Sequence, residues 1–189
     1  MTDGSDRAIA TPSQTVGPFF QVFLTQGSSI GALASDDTRG ERLRLRVHVL
    51  DGDGAPVPDC IIEIYQANAD GEYGHRSFSG FGRLGTDAQG SCVFDTIRPG
   101  QVPDGHGGTQ ASHVGVCLFA RGLLRHVYTR IYFKGDPDLA RDPLLALVPP
   151  ERRETLMAVE VEPGDAGRPS VWEQVIRLQG ERETVFLDL

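Results

Sequence analysis

The stretch Arg42-Leu43-Arg44-Leu45-Arg46-Val47-His48-Val49-Leu50 alternates polar and apolar residues almost to its end. A period of two puts Leu43, Leu45, Val47 and Val49 on one face and the three arginines with His48 on the other, the pattern of a strand buried on one side. The arginine row reads as a solvated face. Asp51-Gly52-Asp53-Gly54 then supplies the chemistry of a hairpin turn, and the more apolar Ile61 to Tyr65 reads as the next strand. Further strand-like runs are Ser91 to Ile97, His113 to Ala120, His126 to Phe133, Thr155 to Val161, Val171 to Leu178 and a terminal Val185 to Leu189. Only Phe19 to Leu24 and Leu139 to Leu147 suit short helices, the second bracketed by Pro137, Pro143, Pro149 and Pro150. This spacing predicts an all-β chain, an antiparallel β-sandwich of about seven or eight strands with long loops. Residues 1–40 are expected to form an extended N-terminal arm and residues 41–189 the sandwich domain. Pro99 to Gln110 is the longest stretch without a strand pattern, a length typical of functional loops.

Composition narrows the function. A chain of 189 residues, 39% of them hydrophobic, can hide roughly 70% of its unfolded surface and needs no staple to fold. Its 26 acidic against 18 basic residues leave a net charge of −8, which argues against nucleic acid or an anionic membrane as partner. The first residues lack a basic-then-apolar signal, and no apolar run approaches the ~18 residues of a membrane span, so a cytoplasmic location is expected. Cys60, Cys92 and Cys117 are odd in number and lie in or beside apolar segments, which favours buried free thiols. Two motifs are decoys. Gly80-Phe81-Gly82-Arg83-Leu84-Gly85 has dinucleotide-loop spacing without the strand before and helix after that the chemistry needs. Asp51 to Gly54 opens like a calcium loop, but Ala55 stands where the third ligand belongs.

A more specific pattern follows the first turn, in Ile62-Glu63-Ile64-Tyr65-Gln66-Ala67-Asn68-Ala69-Asp70-Gly71-Glu72-Tyr73. It is joined in order by Thr-Pro-Ser-Gln-Thr-Val-Gly-Pro-Phe at 11–19, Ile-Arg-Pro-Gly at 97–100, His113-Val114-Gly115, Leu-Phe-Ala-Arg-Gly at 118–122 and Gly-Glu-Arg-Glu-Thr-Val-Phe at 180–186. Together these segments resemble the intradiol ring-cleaving catechol dioxygenases over nearly the whole chain.

The resemblance implies a ferric ion held by two tyrosinates and two histidines, a hard donor set for an oxidised cation. Tyr73 matches the first tyrosine and His113 the first histidine, whereas Val102 and Gly115 stand at the other two ligand positions. Neither of those side chains can bind a metal, which makes Tyr73 and His113 vestigial. The pattern therefore resembles the iron-free α-type chain of a heteromeric member, with Fe(III) carried by a partner β chain and no catalytic residue or metal on this one. The resemblance further implies an α–β heteromer of higher order, with O2 and a dihydroxylated aromatic acid as small-molecule partners. It places Thr15, Gly17 and Pro18 of the arm at the substrate end of the shared pocket, and Arg121 close by with a permanent charge for a carboxylate. Two other readings stay open at the level of sequence: a homo-oligomeric iron enzyme with atypical ligands, opposed by Val102 and Gly115, and a non-enzymatic β-sandwich binding module, distinguished by its independence of a partner.

Overall fold

The computed structural model describes residues 10–17, 19–165 and 167–188. In chain order its elements are helix α1 (Phe20–Thr25), β1 (Arg42–Leu50), β2 (Ile61–Gln66), β3 (Phe81–Gly85), β4 (Ser91–Ile97), β5 (Val102–Pro103), β6 (Thr109–Gln110), β7 (His113–Phe119), β8 (Val127–Phe133), α2 (Pro143–Leu147), β9 (Met157–Glu162) and β10 (Ser170–Arg177). The alternation in β1 is obeyed: Leu43, Leu45, Val47 and Val49 are all buried. The arginine row is solvated but not idle. Register sets Arg44 opposite Asp95 of β4 and Arg46 opposite Glu173 of β10, and each guanidinium bonds the carboxylate it faces.

Eight strands join in the order β3-β2-β7-β8-β9-β10-β1-β4. The two four-stranded halves share one core, in which Leu43, Leu45, Val47 and Val49 of β1 and Phe94 of β4 meet Ile62 and Ile64 of β2 and Val114, Val116 and Leu118 of β7. Phe133 of β8 meets Trp172 of β10 edge-on at 5.2 Å, tying one half to the other. The sandwich inferred from the strand spacing is thus present, and the structure adds that two of its pairings, β1 with β10 and β8 with β9, are parallel. Residues Ile30 to Leu33, inside the segment read as an arm, close the open side: Ile30 exchanges hydrogen bonds with Arg83 of β3, while Gly31 and Leu33 bond Asp95 of β4. Among the described residues no helix is long and apolar enough to cross a membrane.

Several local expectations change in three dimensions. Asp51 does form its turn, its carboxylate accepting from Asp53 N and Ala55 N at 3.0 and 2.8 Å, but no β1–β2 hairpin results because the two strands lie in opposite halves. Phe81 to Gly85, set aside as a decoy, is strand β3. Its Gly82 is there for packing: a Cβ would fall 2.9 to 3.0 Å from Leu33, Ile64 and Phe94. The long loop from Pro99 to Gln110 carries the small β5–β6 hairpin. Val185 to Leu187 make no full strand: β9 pairs only with Tyr132 and Phe133 of β8, and the segment meets the edge left at Tyr128 and Thr129 by a single bridge, through Leu187 N to Tyr128 O at 2.8 Å and Thr129 Oγ1 to Val185 O at 2.8 Å. Leu189 lies outside the described residues. Cys60 and Cys92 are buried free thiols, pushed up to about 12 by burial, whereas Cys117 is half-buried.

The expected helix from Leu139 to Leu147 is split into a 3-10 turn at Leu139–Arg141 and α2, because Pro143 disfavours a helical residue before it and leaves Asp142 extended. Asp142 becomes the N-cap of α2. Its Oδ1 accepts from Leu144 N and Leu145 N at 3.0 and 2.9 Å and from the Tyr132 hydroxyl at 3.0 Å, and its Oδ2 accepts from Ala111 N at 2.9 Å. One buried carboxylate therefore joins α2, β8 and the residue that leads into β7. Asp142→Ala, which strands these donors, should lower the unfolding free energy by about 2–4 kcal/mol in urea titrations, with Asp142→Asn losing less.

Candidate functional site

Strand alternation sends Glu63 and Tyr65 of β2, His113, Gly115, Cys117 and Phe119 of β7, and Tyr128, Arg130 and Tyr132 of β8 to the face away from the core. Register lines them up in rows, Tyr65 beside Gly115 beside Arg130, then Glu63 beside Cys117 beside Tyr128. Gly115 contributes no side chain, so the middle of its row is open. The result is a cavity of about 500 Å³ walled by Tyr65, Tyr73, His113, Arg130, Tyr128 and Phe119 among others. Tyr73 reaches it from the loop after β2. Asn68 Oδ1 shapes that loop by accepting from Asp70 N and Glu72 N, both at 2.9 Å. Gly71 allows the loop's close approach to the neighbouring segment: its φ is 82°, and a Cβ there would sit 1.9 Å from the Gln101 carbonyl oxygen. Tyr65 and Tyr73 stack with ring centres 5.1 Å apart.

His113 is 4% exposed. Its Nδ1 lies 2.7 Å from Ala111 O and therefore carries the proton, leaving Nε2 to accept from the Tyr73 hydroxyl at 3.3 Å. Burial first, and the positive charge of Arg130 second, push the imidazole down to about 4. Burial also raises the Tyr73 hydroxyl above its ordinary value, with Arg130 pulling the other way. Both groups are neutral at pH 7 and satisfy each other. Burial raises the Cys117 thiol to about 11, with Glu63 adding to the shift, so it is no ready nucleophile.

The residues present do not fit a four-ligand iron centre. Val102 is buried in β5 and Gly115 has no side chain, so two of the four positions that the resemblance implies hold no donor atom. A guanidinium also stands in the same row, where a cation would meet its repulsion. Among the described residues no three His, Cys, Asp or Glu side chains are grouped to share a metal.

Of the other site residues named from sequence, Thr15 and Arg121 lie just beyond the Phe119 end of β7. Thr15 Oγ1 accepts from Gly122 N at 2.7 Å, which pins the arm beside Arg121, and Arg121 pairs with Asp59 at 3.1 Å with both side chains about half exposed. Gly17 O accepts from Phe20 N at 3.2 Å as the chain enters α1, and Pro18 falls outside the described residues. Gln14 and Val16 line a smaller cavity of about 220 Å³ that shares Phe119 and His126 with the large one. The structure thus brings Thr15 and Arg121 together, and it keeps Tyr73 with His113 at the other end of the groove. Sequence reasoning missed Arg130. Its signal was the alternation of Tyr128, Arg130 and Tyr132 in Val-Tyr-Thr-Arg-Ile-Tyr-Phe, which marks an outward row on β8.

Comparison with known proteins bears on this site. A model of the family described as Dioxygenase matches residues 16–173. The chain is 38% identical to the protocatechuate 3,4-dioxygenase alpha chain of Burkholderia cepacia over 95% of its own length and 97% of that protein's. It is 33% identical to the protocatechuate 3,4-dioxygenase beta chain of the same organism, over 81% of this chain and 71% of that one. Among solved structures, the dioxygenase domain of a dioxygenase carbohydrate-binding protein fusion from Streptomyces sp. SirexAA-E superposes with a TM-score of 0.65 at 26% identity, covering 90% of this chain and 98% of that one.

The buried neutral histidine sets a pH dependence. Its folded value near 4 lies below the unfolded value near 6.5, so the unfolded chain binds the extra proton between them. Stability from this group is complete above pH 6.5 and is lost as pH falls toward 4, by about 3 kcal/mol at most. Urea midpoints should fall across that window in the native chain and much less in His113→Phe.

Proposed function

From the premise that this chain belongs to the dioxygenase family, we propose that it is the iron-free α subunit of a protocatechuate 3,4-dioxygenase. In this reading it joins a β chain in the cytoplasm, in an α–β heteromer that assembles further. The β chain's Fe(III) supports cleavage of 3,4-dihydroxybenzoate by O2 between the two hydroxyl-bearing carbons, giving 3-carboxy-cis,cis-muconate. The observation that carries the reading is the absence of donor atoms at Val102 and Gly115 in a chain that an alpha chain matches over 95% of its length. No step of the reaction runs through this chain's own Tyr73 and His113, which bond each other.

What this chain contributes is a wall. Residues 1–40 serve as an arm toward the partner and residues 41–189 as the sandwich that carries it. The hydrogen bond from Gly122 to Thr15 holds the arm against the Arg121 turn, so that Thr15, Gly17, Pro18 and Arg121 line the substrate end of the partner's pocket. The apolar area for docking is available at α1, which buries none of its residues and leaves Phe23 80% exposed, next to Phe19. Large aromatic side chains in that position suit a stable interface better than open water. Arg121 bonds only Asp59 among the described residues, and its remaining donors are free for a substrate carboxylate.

Coexpression with a β-type chain bearing all four ligands should yield a stable heteromer whose iron partitions with the β chain and which cleaves 3,4-dihydroxybenzoate. A red, iron-loaded protein or ring cleavage from the lone chain would overturn the assignment. Within the complex, Arg121→Ala should raise KM for 3,4-dihydroxybenzoate about tenfold or more, the loss of a direct charge-assisted hydrogen bond, while catechol turnover changes little. Equal losses for both substrates would instead make Arg121 an organiser of the arm.

A further inference from the structure

The groove over the Tyr65–Gly115–Arg130 row contains a cation that no carboxylate neutralises directly. Among the described residues no carboxylate lies within 4.0 Å of the Arg130 guanidinium, although it is half-buried. Its Nη1 donates to Gln110 Oε1 at 2.6 Å and lies 3.4 Å from the Tyr132 hydroxyl, both neutral groups. Asp142 lies behind Tyr132 and is committed to four donors of its own. The groove's acidic residue, Glu63, is paired with Arg83 at 2.6 Å. A guanidinium has five donors in a planar fork suited to a carboxylate, and a partly desolvated one gains most from finding it.

The opposite wall is aromatic. Tyr65 and Tyr73, stacked on each other, are still 45% and 43% exposed, a large apolar area left to solvent. Between wall and cation the floor is Gly115, over which no side chain stands. A volume of about 500 Å³ is in the range of small-molecule sites and exceeds what one benzene ring needs.

We propose that this groove is a metal-independent site for a single-ring aromatic carboxylate, its ring over Gly115 against Tyr65 and Tyr73 and its carboxylate on Arg130. The site is formed by residues of this chain alone. The ring and the charge are both required: a ring-opened dicarboxylate lacks the stacking surface, and an uncharged aromatic lacks the anchor.

The test uses the purified full-length chain with EDTA present, titrated by ligand-observed NMR and calorimetry with benzoate, benzyl alcohol and cis,cis-muconate. Benzoate should bind saturably at one site per chain, at least tenfold more tightly than either of the other two. Arg130→Gln should erase the preference for benzoate over benzyl alcohol, Arg130→Lys should retain part of it, and Gly115→Leu should abolish binding by filling the floor. Absence of saturation up to about 10 mM, equal affinity for benzoate and benzyl alcohol, tighter binding of muconate, or an Arg130→Gln chain that binds benzoate like the native one would each overturn the proposal. The comparison of ligands on the native chain decides the matter even if a variant fails to fold. Because no partner chain and no turnover enter the measurement, its failure leaves the subunit assignment standing, and failure to form a heteromer leaves this site standing.

Discussion

Val114, Val116 and Leu118 of β7 must face the core, and that requirement governs the opposite face of the sheet. All three are essentially buried against β1 and β2, so a slip of one residue would turn them to water and bring Gly115 and Cys117 inside. With the register locked from within, the outward rows have no freedom: Tyr65, Gly115 and Arg130 share one, and His113 and Tyr132 share another. The groove is therefore a by-product of core packing on its far side, with Gly115 opening its floor.

The same separation explains how a chain can keep the dioxygenase fold while its outward face varies. Inward residues carry most of the hydrophobic stabilisation; of the outward ones Tyr132 packs in a second cluster with Leu145, Val148 and Leu156, while Tyr65, Gly115 and Arg130 line the groove. A valine at position 102 packs as a buried apolar residue, and a glycine at 115 leaves β7 paired on both sides. His113 and Tyr73 are accommodated by mutual hydrogen bonding, so neither is a buried orphan. Arg130 puts a permanent positive charge on this face, held by the neutral Gln110 and Tyr132.

Asp142 and the Ile30 to Leu33 segment show how the loops are made rigid enough to matter. Asp142 reaches α2, β8 and Ala111 with two oxygens, and Ala111 in turn holds His113 in its neutral tautomer. Ile30 to Leu33 staple edge strands β3 and β4, which would otherwise expose unpaired backbone along the sandwich's open side. Both devices use residues far apart in sequence.

The sequence by itself determined strands β1, β2, β4, β7, β8, β9 and β10, because alternation, as in β1, and short apolar runs bounded by turn residues, as in β2, are local properties of the chain. It also showed that Val102 and Gly115 offer no donor atom for a metal, since an absent donor needs no coordinates to be recognised. Only the tertiary structure decided that β1 and β2 part company after a true turn, that Phe81 to Gly85 is a strand, and that two pairings are parallel. Those outcomes depend on which distant segment offers a free edge and a complementary apolar face. The pairing of Tyr73 with His113, the meeting of Thr15 with the Arg121 turn and the placement of Arg130 across from Tyr65 were likewise settled in space. Residues 40 to 107 positions apart became neighbours through strand order, and no pattern within a local window of sequence carries that information.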